Sequence, residues 1–577
     1  MDSRSAAHVL SQIGALLEVK GEQKFKARAY ASAARSLVAL DTDDLAPLLR
    51  SGELADISGI GPATLSVVRE LIETGESSYL NELREGIPEG LLELFRVPGL
   101  NAAKVQLIHD ALGVDTLEDL ERVAQNGQLA ALPKFGKKTA EKILRGIEIL
   151  RRNAHLKRFP AAAVEAHLLL ANVVKHPDVT HAEVAGSIRR HNEVVADIDI
   201  VAECSGDPAS VAASFARSPG VRESKTREDP GSVHIRFVDG THLDMHCVTK
   251  ADYPVALWRA TGNTAHVEEM NVLARNRGFE IAGNSLIRNG GKRGDLKDED
   301  AFFSGLDLEP IPPEMREGMG EIEAAARREL PNLVTFDDIS GVLHCHSDYS
   351  DGAATIEQMA NAAKERGWYY IGISDHSESA FYAGGLKRDR LLRQQEEIDR
   401  LNAQMNGFRI LKGIEADILA DGRLDYDAEI LDSFDYVIGS IHSRFSMDGE
   451  AMTKRVFAAL DDPHLTILAH PTGRLLLTRE PYAINIEAVL EKAVQVGVAV
   501  ELNADPHRLD LDWRYCRQAK ELGVTIEIGP DAHSTAGLDN VHFGIGMARK
   551  AWLEAGEILN TRSAEDVLAF ARKRRAK

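Results

Sequence analysis

Along the first 155 residues apolar side chains recur three and four positions apart, as in Leu10, Ile13, Leu16 and Leu17, and short glycine turns interrupt the pattern. That period keeps one helical face apolar, so the region is expected to be all-helical. Between 160 and 310 strand-like runs (DIDIVAE, SVHIRFVDG, HLDMHCV) interleave with helical stretches, which predicts a mixed α/β region. A proline-rich joint, LEPIPPEMREG at 308–318, and a polar helical connector, EIEAAARREL, lead to Pro331. From about 339 the texture becomes regular. Seven segments read as strands: GVLHCHS, YYIGISDH, FRILKGIEADI, YVIGSIHS, LTILAHP, VAVELNA and TIEIGPDAHS. Amphipathic stretches such as TIEQMANAAKERG and NIEAVLEKAVQVG lie between them, so parallel strands with right-handed crossovers are expected, as a barrel or a doubly wound sheet.

The length of 577 residues corresponds to about three to five domains at roughly 100–200 residues each. No run approaches the ~20 apolar residues of a membrane span, so no membrane partner is expected. The start, MDSRSAAHVL, lacks a basic region followed by an apolar stretch, so no secretory signal is expected. Cys204, Cys247, Cys345 and Cys516 are scattered without CxxC spacing, which fits a reducing compartment and a cytoplasmic location. The net charge of −21 argues against a nucleic-acid partner, because phosphate contacts need lysine and arginine. Metal sites consume carboxylates, however, and KFGKKTAEKILRGIEILRR (134–152) is locally basic, so DNA stays open as a partner.

Histidines and acids stand at or just after the end of each C-terminal strand segment: His344, His346, Asp351, His376, Glu415, His442, His470, Asp531 and His533. Alternation puts His344 and His346 on one face, with Cys345 on the other. Strand C-termini of a parallel barrel converge on one side, so six imidazoles and three carboxylates would meet there. That is more than one ion needs. A cluster of two or three divalent ions is expected, with Zn²⁺, Mn²⁺ and Fe²⁺ all suited to the donors. Paired ions about 3.5–4 Å apart clamp the oxygens of a phosphate ester. The pieces HCHSDYSDG, SDHSES, GIEAD, GSIHS, AHP and DAHS closely resemble the PHP (polymerase and histidinol phosphatase) family across about 339–577. The resemblance implies a seven-stranded distorted barrel with a trinuclear centre, and a ligand-type residue stands at all nine ligand positions. Val342 departs from the aspartate often found before the first Leu-His, a position that is not normally a ligand.

The central segment GSIRRHNEVVADIDIVAE carries Gly186 and Ser187, then Asp197 and Asp199 two residues apart, which on a strand face the same way. Asp244 lies on a later strand. Three gathered carboxylates call for two Mg²⁺ (or Mn²⁺) and substrate phosphates, and the chemistry that follows is in-line phosphoryl or nucleotidyl transfer. Backbone and hydroxyl donors at Gly186-Ser187 would meet the phosphates. The pattern GSxRR…DxD is similar to the nucleotidyltransferase palm of family X DNA polymerases. That resemblance implies Asp197, Asp199 and Asp244 as metal-binding catalytic carboxylates, with Ser187 and Arg190 on the triphosphate. The joint IPPEMREGMGEIEAA and the order polymerase-then-PHP resemble the bacterial members. Departures fall in the nucleotide pocket. Where the family has Tyr-Phe-Thr-Gly-Ser this chain reads Arg259, Ala260, Thr261, Gly262, Asn263, so both aromatics of the sugar-facing wall are missing. Ala282 falls near a base-contacting asparagine of vertebrate relatives, and His242 and His246 replace two arginines beside the third aspartate.

Three N-terminal segments place a glycine turn before a helix: ISGIGPATLSVVREL with Gly59 and Gly61, VPGLNAAKVQLI with Gly99 and Asn101, and LPKFGKKTAEKIL with Lys134 and Gly136. Such turns leave backbone N–H groups free to bind phosphate without reading sequence. They resemble helix-hairpin-helix motifs, and Lys137, Lys138 and Lys142 add charge to the third. GEQKFKARAYASAARSL (21–37) resembles the start of the small lyase domain of the same family, with Lys24, Lys26, Arg28 and Arg35 available for a 5′-phosphate. Asp56 stands where vertebrate relatives place a nucleophilic lysine, so no Schiff-base chemistry is expected.

The expected layout is multidomain. A helical lyase-like region with the first hairpin spans 1–80, and a second helical region with two further hairpins spans 81–155. An α+β nucleotidyltransferase palm (156–255), a thumb-type region (256–320), a linker (321–338) and a C-terminal α/β barrel (339–577) follow. The expected function is DNA repair at gapped or nicked duplexes and 3′ ends, by DNA-directed DNA polymerisation and 3′–5′ exonuclease or phosphoesterase activity. Three alternatives stay open: a PHP nuclease whose palm only binds DNA, a phosphatase for a small metabolite, and a non-catalytic DNA-end scaffold.

Overall fold

The computed structural model describes residues 1–576 apart from 2, 20–23, 41–43, 85–88, 96, 219–220, 230, 238–239 and 290. Up to Arg152 the described elements are all helices, as the 3.6-residue period requires. Leu10, Ile13, Leu16 and Leu17 of the helix Ser3–Val19 are buried against Ala27, Tyr30, Ala33 and Leu37 of Lys24–Leu40. A separate core around Val105, Ile108, Leu120, Ile143 and Ile147 holds the second helical region.

The central sheet has five strands: β1 Val179–Val184, β2 Ile198–Cys204, β3 Val221–Thr226, β4 Ser232–Phe237 and β5 His242–Thr249, in the order β1-β2-β5-β4-β3. Only β2 and β5 run parallel; the other neighbours are antiparallel. Both faces of β2 are covered. Ile200 and Ala202 pack with Ala162 and Ala166 of the helix Phe159–Val173, whereas Val201 packs with Ala256 and Leu257 of Tyr253–Thr261. Trp258, Phe302, Phe303 and Leu306 build the next core, and the Trp258 indole donates to His266 at 2.9 Å.

The C-terminal strands are β6 Gly341–Val342, β7 Tyr370–Ile373, β8 Arg409–Lys412, β9 Glu415–Asp417, β10 Val437–Ser440, β11 Leu465–Leu468, β12 Ala499–Asn503 and β13 Ile526–Gly529. All pair in parallel, in a three-stranded and a five-stranded sheet. The bridges His376↔Glu415 and Cys345↔Ala532 join the sheets at both seams, so they close into a barrel. Tyr370, Leu411, Tyr436, Ile438 and Ile467 pack with Leu559, Val567 and Leu568, so the helix Ala564–Arg575 shares this core. One expectation is corrected: FRILKGIEADI is two strands, not one. The chain changes neighbours at Gly413, where a Cβ would lie 2.3 Å from the Tyr436 ring, so only glycine passes that ring. The GVLHCHS strand likewise stops at Val342, and its histidines stand beyond the ladder.

The barrel and the central region meet at a packed seam. Phe159 stacks on His191 (4.9 Å) and meets Phe543 edge-on (6.0 Å), and Arg549 binds Glu314 at 2.7 Å. Lys550, 1% exposed, pairs with Glu317 and donates to the Arg190 carbonyl at 3.1 Å.

Candidate active sites

The barrel brings all nine sequence-assigned ligands to the strand C-terminal ends. Three overlapping groups hold their ligand atoms within 4.8 Å of one another: His346, Asp351, His376 and His533; His344, His346 and Asp531; His376, Glu415 and His442. His346 and His376 each belong to two groups, so these form one continuous cluster. His470 joins it through Nε2, 3.1 Å from Glu415 Oε1. His344 Nε2, both ring nitrogens of His346, His376 Nδ1, Glu415 Oε2 and His470 Nδ1 are buried with no hydrogen-bond partner. Buried polar atoms left so cost about 1–3 kcal/mol each. Divalent ions placed among these atoms would take up the carboxylate lone pairs and one nitrogen of each neutral ring, and nitrogen and oxygen donors in this mixture fit transition-metal ions. Two ligands stand on left-handed backbone, His470 at φ +27° and Asp531 at φ +49°, a strain that persists only where packing over-determines it.

A surrounding set of groups, not singled out from the sequence, aims these ligands. His344 Nδ1 pairs with Glu501, and His442 Nδ1 lies 2.7 Å from Asp417 Oδ1, leaving each Nε2 to face the cluster. Glu501 also accepts the His470 N–H at 2.6 Å, and Asn503 donates to Asp531 at 3.0 Å. Asp375 accepts the Ser347 N–H at 2.8 Å and Gln394 at 2.6 Å, which fixes the loop leading to Asp351. Two signals were available in the sequence: Asp417 repeats Glu415 at strand period, and Glu501 is a lone acid in an apolar run.

Burial opposes charging these imidazoles, but the carboxylates outweigh it for some. Glu501, Asp531 and Glu415 hold His344 well above its ordinary value, and Asp351 and Asp531 push His533 up to about 9. For His346, burial wins, with His533 and His376 adding to it, and the ring falls to about 4. Above the ordinary histidine value of about 6.5, folded metal-free protein therefore keeps a proton on His533 that the unfolded chain has lost. Its contribution to stability is complete below that value and disappears as pH rises through about 9. The melting temperature of EDTA-treated protein is expected to fall between about pH 6.5 and 8.5, with a shallower fall in excess Mn²⁺, whose ligands are deprotonated. Parallel slopes in scanning calorimetry would contradict this.

In the central sheet Asp199 and Asp244 are direct partners on β2 and β5, and Asp197 immediately precedes β2. Burial first, then the charges of Asp197 and Asp244, push the Asp199 carboxyl up to about 8, so the site is short of positive charge. Asp244 faces Arg227 (Nε at 3.1 Å) and His234 (Nδ1 at 3.0 Å), and His242 follows 3.1 Å from His234. His246 turns to Ser232 at 3.0 Å. Among the described residues, only the barrel groups draw three or more ligand atoms within 4.8 Å. Gly186 has φ +62°, and a Cβ there would lie 1.8 Å from Asp199 Oδ2. The neighbouring Ser187 hydroxyl is buried with no hydrogen-bond partner. Gly186→Ala is expected to displace Asp199 and cut nucleotide incorporation about a hundredfold, the cost of a misplacement of about 1 Å. Primer extension checks this, with 3′-end shortening by the same protein as the internal reference.

Arg190 is more engaged than the sequence suggests: Nε donates to Glu317 at 2.9 Å and a terminal nitrogen to the Thr261 carbonyl at 2.6 Å. Asn263 also donates to Glu317, at 3.1 Å, and Gly262 ends the helix Tyr253–Thr261. Ala260 packs onto the core of Ala185, Val201 and Val248, so it offers no ring to a sugar.

The three hairpins share one geometry. Gly59 (φ +90°), Gly99 (φ +91°) and Lys134 (φ +71°) take the left-handed turn. Gly61, Asn101 and Gly136 are the extended N-caps of the helices Pro62–Thr74, Ala102–Leu112 and Lys137–Arg152. Gly136, Lys137, Lys138 and Lys142 are exposed. Lys26 lies 4.6 Å over the Tyr79 ring, Arg28 is exposed, and the side chains of Lys24 and Arg35 fall outside the described residues.

Helical hairpins, a palm-like sheet with three acids, a thumb-like core and a histidine-lined barrel define a polymerase fused to a metal-dependent phosphoesterase. Comparison with known families agrees over four stretches of the chain. Residues 1–77 match a helix-hairpin-helix domain, 91–148 a SAM-like helix-hairpin-helix tandem, 256–317 the DNA polymerase beta thumb and 343–505 the PHP domain. The DNA polymerase/3'-5' exonuclease PolX of Bacillus subtilis is 37% identical over 584 residues, spanning 99% of this chain and 100% of that one. A probable phosphatase of Caldanaerobacter subterraneus is 29% identical over 249 residues, 40% of this chain and 91% of its own. One of Clostridium acetobutylicum is 28% identical over 214 residues, 34% of this chain and 80% of its own. The chain belongs to the bacterial PolX family.

Proposed function

We propose that this protein extends primers at DNA gaps and shortens 3′ ends, at two separate metal sites on one chain. The observation that carries the reading is the pair of carboxylate-rich sites, one beside a phosphate-ready glycine turn and one lined with orphaned imidazole nitrogens. The domain limits we propose are those of the sequence: 1–80, 81–155, 156–255, 256–320, 321–338 and 339–577. No helix of the described residues is long and apolar enough to cross a membrane. We place the protein in the cytoplasm, with its DNA.

At the palm, Asp197, Asp199 and Asp244 would hold Mg²⁺ or Mn²⁺, and Gly186, Ser187, Arg190 and Gly262 would border the dNTP. Bound divalent ions supply charge stabilisation and orientation for in-line transfer. The chain's part is the Ser187 hydroxyl, positioned as a phosphate donor, and the bare Gly186 backbone, which leaves Asp199 room. At the barrel the nine ligands would hold two or three ions (Mn²⁺, Zn²⁺ or Fe²⁺), which supply Lewis acidity and activate water. Arg508, 3.5 Å from Asp531, adds positive charge where a phosphodiester would rest.

Gly59, Gly61, Gly99, Gly136, Lys137 and Lys138 would grip the backbone of gapped or nicked duplex. Lys137→Glu with Lys138→Glu is expected to weaken binding equally across sequences. It should also flatten the salt dependence by about 0.9 in log–log slope for each phosphate that the variant leaves unneutralised. Fluorescence anisotropy at several salt concentrations reads both.

The deciding assay is a gapped duplex with a 5′-labelled primer. Extension with dNTPs and shortening without them are expected, and both should stop on chelation. A second reading, a PHP nuclease whose palm only binds DNA, draws on the ringless wall at Arg259 and Ala260. Absence of incorporation with either ion and either sugar would select it.

A further inference from the structure

Beyond His376 the chain makes a short excursion that ends in the parallel bridge Ser377↔Leu386. The excursion is pinned. The Leu386 N–H donates to the His376 carbonyl at 2.9 Å, the Gly385 N–H to the Ala380 carbonyl at 3.1 Å, and the Tyr426 hydroxyl binds the Leu386 carbonyl. Gly385 sits so close to Ser377 that a Cβ would lie 2.0 Å from its carbonyl oxygen. On this anchored loop the single turn Phe381–Ala383 holds two adjacent aromatic rings in water, Phe381 85% and Tyr382 61% exposed. The rings meet edge to face at 6.1 Å. The Tyr382 ring lies 6.2 Å from His442 and 6.4 Å from His376, so it stands on the rim of the ligand cluster. Two large rings kept out of any core cost hydrophobic stabilisation, and the loop has no slack to bury them.

We propose that Phe381 and Tyr382 form a stacking platform for the unpaired bases at the 3′ end of a DNA strand entering the barrel. The proposal rests on the exonuclease reading above and names the two side chains that would hold the terminal bases. A phosphodiester at the ligand cluster brings with it a flat, weakly polar base one sugar away, and an aromatic face at the rim accepts any of the four. Bases in a helical stack are not available for this contact. The platform therefore favours single-stranded or frayed ends over paired ones, and does so without reading sequence. Arg508 supplies the cation for the phosphate, and the rings supply affinity for the base.

The test uses the full chain with Mn²⁺ and 5′-labelled single strands whose last two nucleotides carry bases or are abasic. Wild type is expected to shorten the base-bearing strand about tenfold faster for each stacked base. In Phe381→Ala and Tyr382→Ala that advantage should shrink, and in the double variant it should vanish, while Tyr382→Phe retains it. The abasic strand reports any general damage to the metal site within the same protein. The platform is refuted if wild type treats the two strands alike, or if the variants slow both equally. If wild type shortens neither, the exonuclease reading has failed and takes this proposal with it.

Discussion

His346→Ala is expected to lower 3′-end shortening at least about a thousandfold, while primer extension persists. His346 belongs to two of the three ligand groups, and neither of its ring nitrogens has a hydrogen-bond partner. Its removal would therefore take a donor from two of the three groups together. Losing the several kcal/mol that a bound ion contributes to a phosphoryl transition state amounts to roughly three powers of ten in rate. His442→Ala is the contrast, because His442 belongs to one group only. It should lose less activity and less metal. Plasma mass spectrometry of the purified variants measures the ion content beside the rate, and an active, fully loaded His346→Ala protein would show that neither depends on His346.

Asp199→Asn should abolish incorporation to a similar degree and leave shortening intact. The substitution also separates catalysis from folding. Burial, Asp197 and Asp244 already push the Asp199 carboxyl up to about 8, so the metal-free fold gains nothing from its charge near neutral pH. A neutral side chain of the same shape still fits against Gly186. The EDTA-treated variant is accordingly expected to melt no lower than wild type, and the rise in melting temperature on adding Mg²⁺ should be smaller. Incorporation above about a tenth of wild type, read by primer extension on gapped duplex, would show that the palm works without this carboxylate.

The convergence of these side chains was legible in the sequence because most of them stand just beyond the end of an apolar strand, where polarity has no structural use, although Asp351 lies in a loop and Glu415 opens β9. The hairpin turns were legible too, even where Lys134 takes a conformation usually left to glycine. What escaped depends on contacts across the chain. Glu501 reads as a stray acid until β12 places it under His344, 157 residues away in sequence. The division of FRILKGIEADI comes from a ring supplied by Tyr436, and nothing local to Gly413 announces it. Arg190 lies in the motif expected to meet a triphosphate, yet its partners come from Thr261 and Glu317, far along the chain. Phe381 and Tyr382 sit in a loop, where hydrophobic periodicity carries no information.

The junction of Lys550 with Glu317 bears on how this molecule can be taken apart. Glu317 is held by Arg190 from the sheet side and by Lys550 from the barrel, and the Lys550 side chain is 1% exposed. A shortened chain ending near Pro331 would strand that carboxylate with half its counter-charge and lay bare His191 and Phe159, which Phe543 helps to cover. Anyone wishing to harvest the N-terminal half as an independent reagent inherits that wound, and must rebuild the surface there before judging what the isolated piece is able to do.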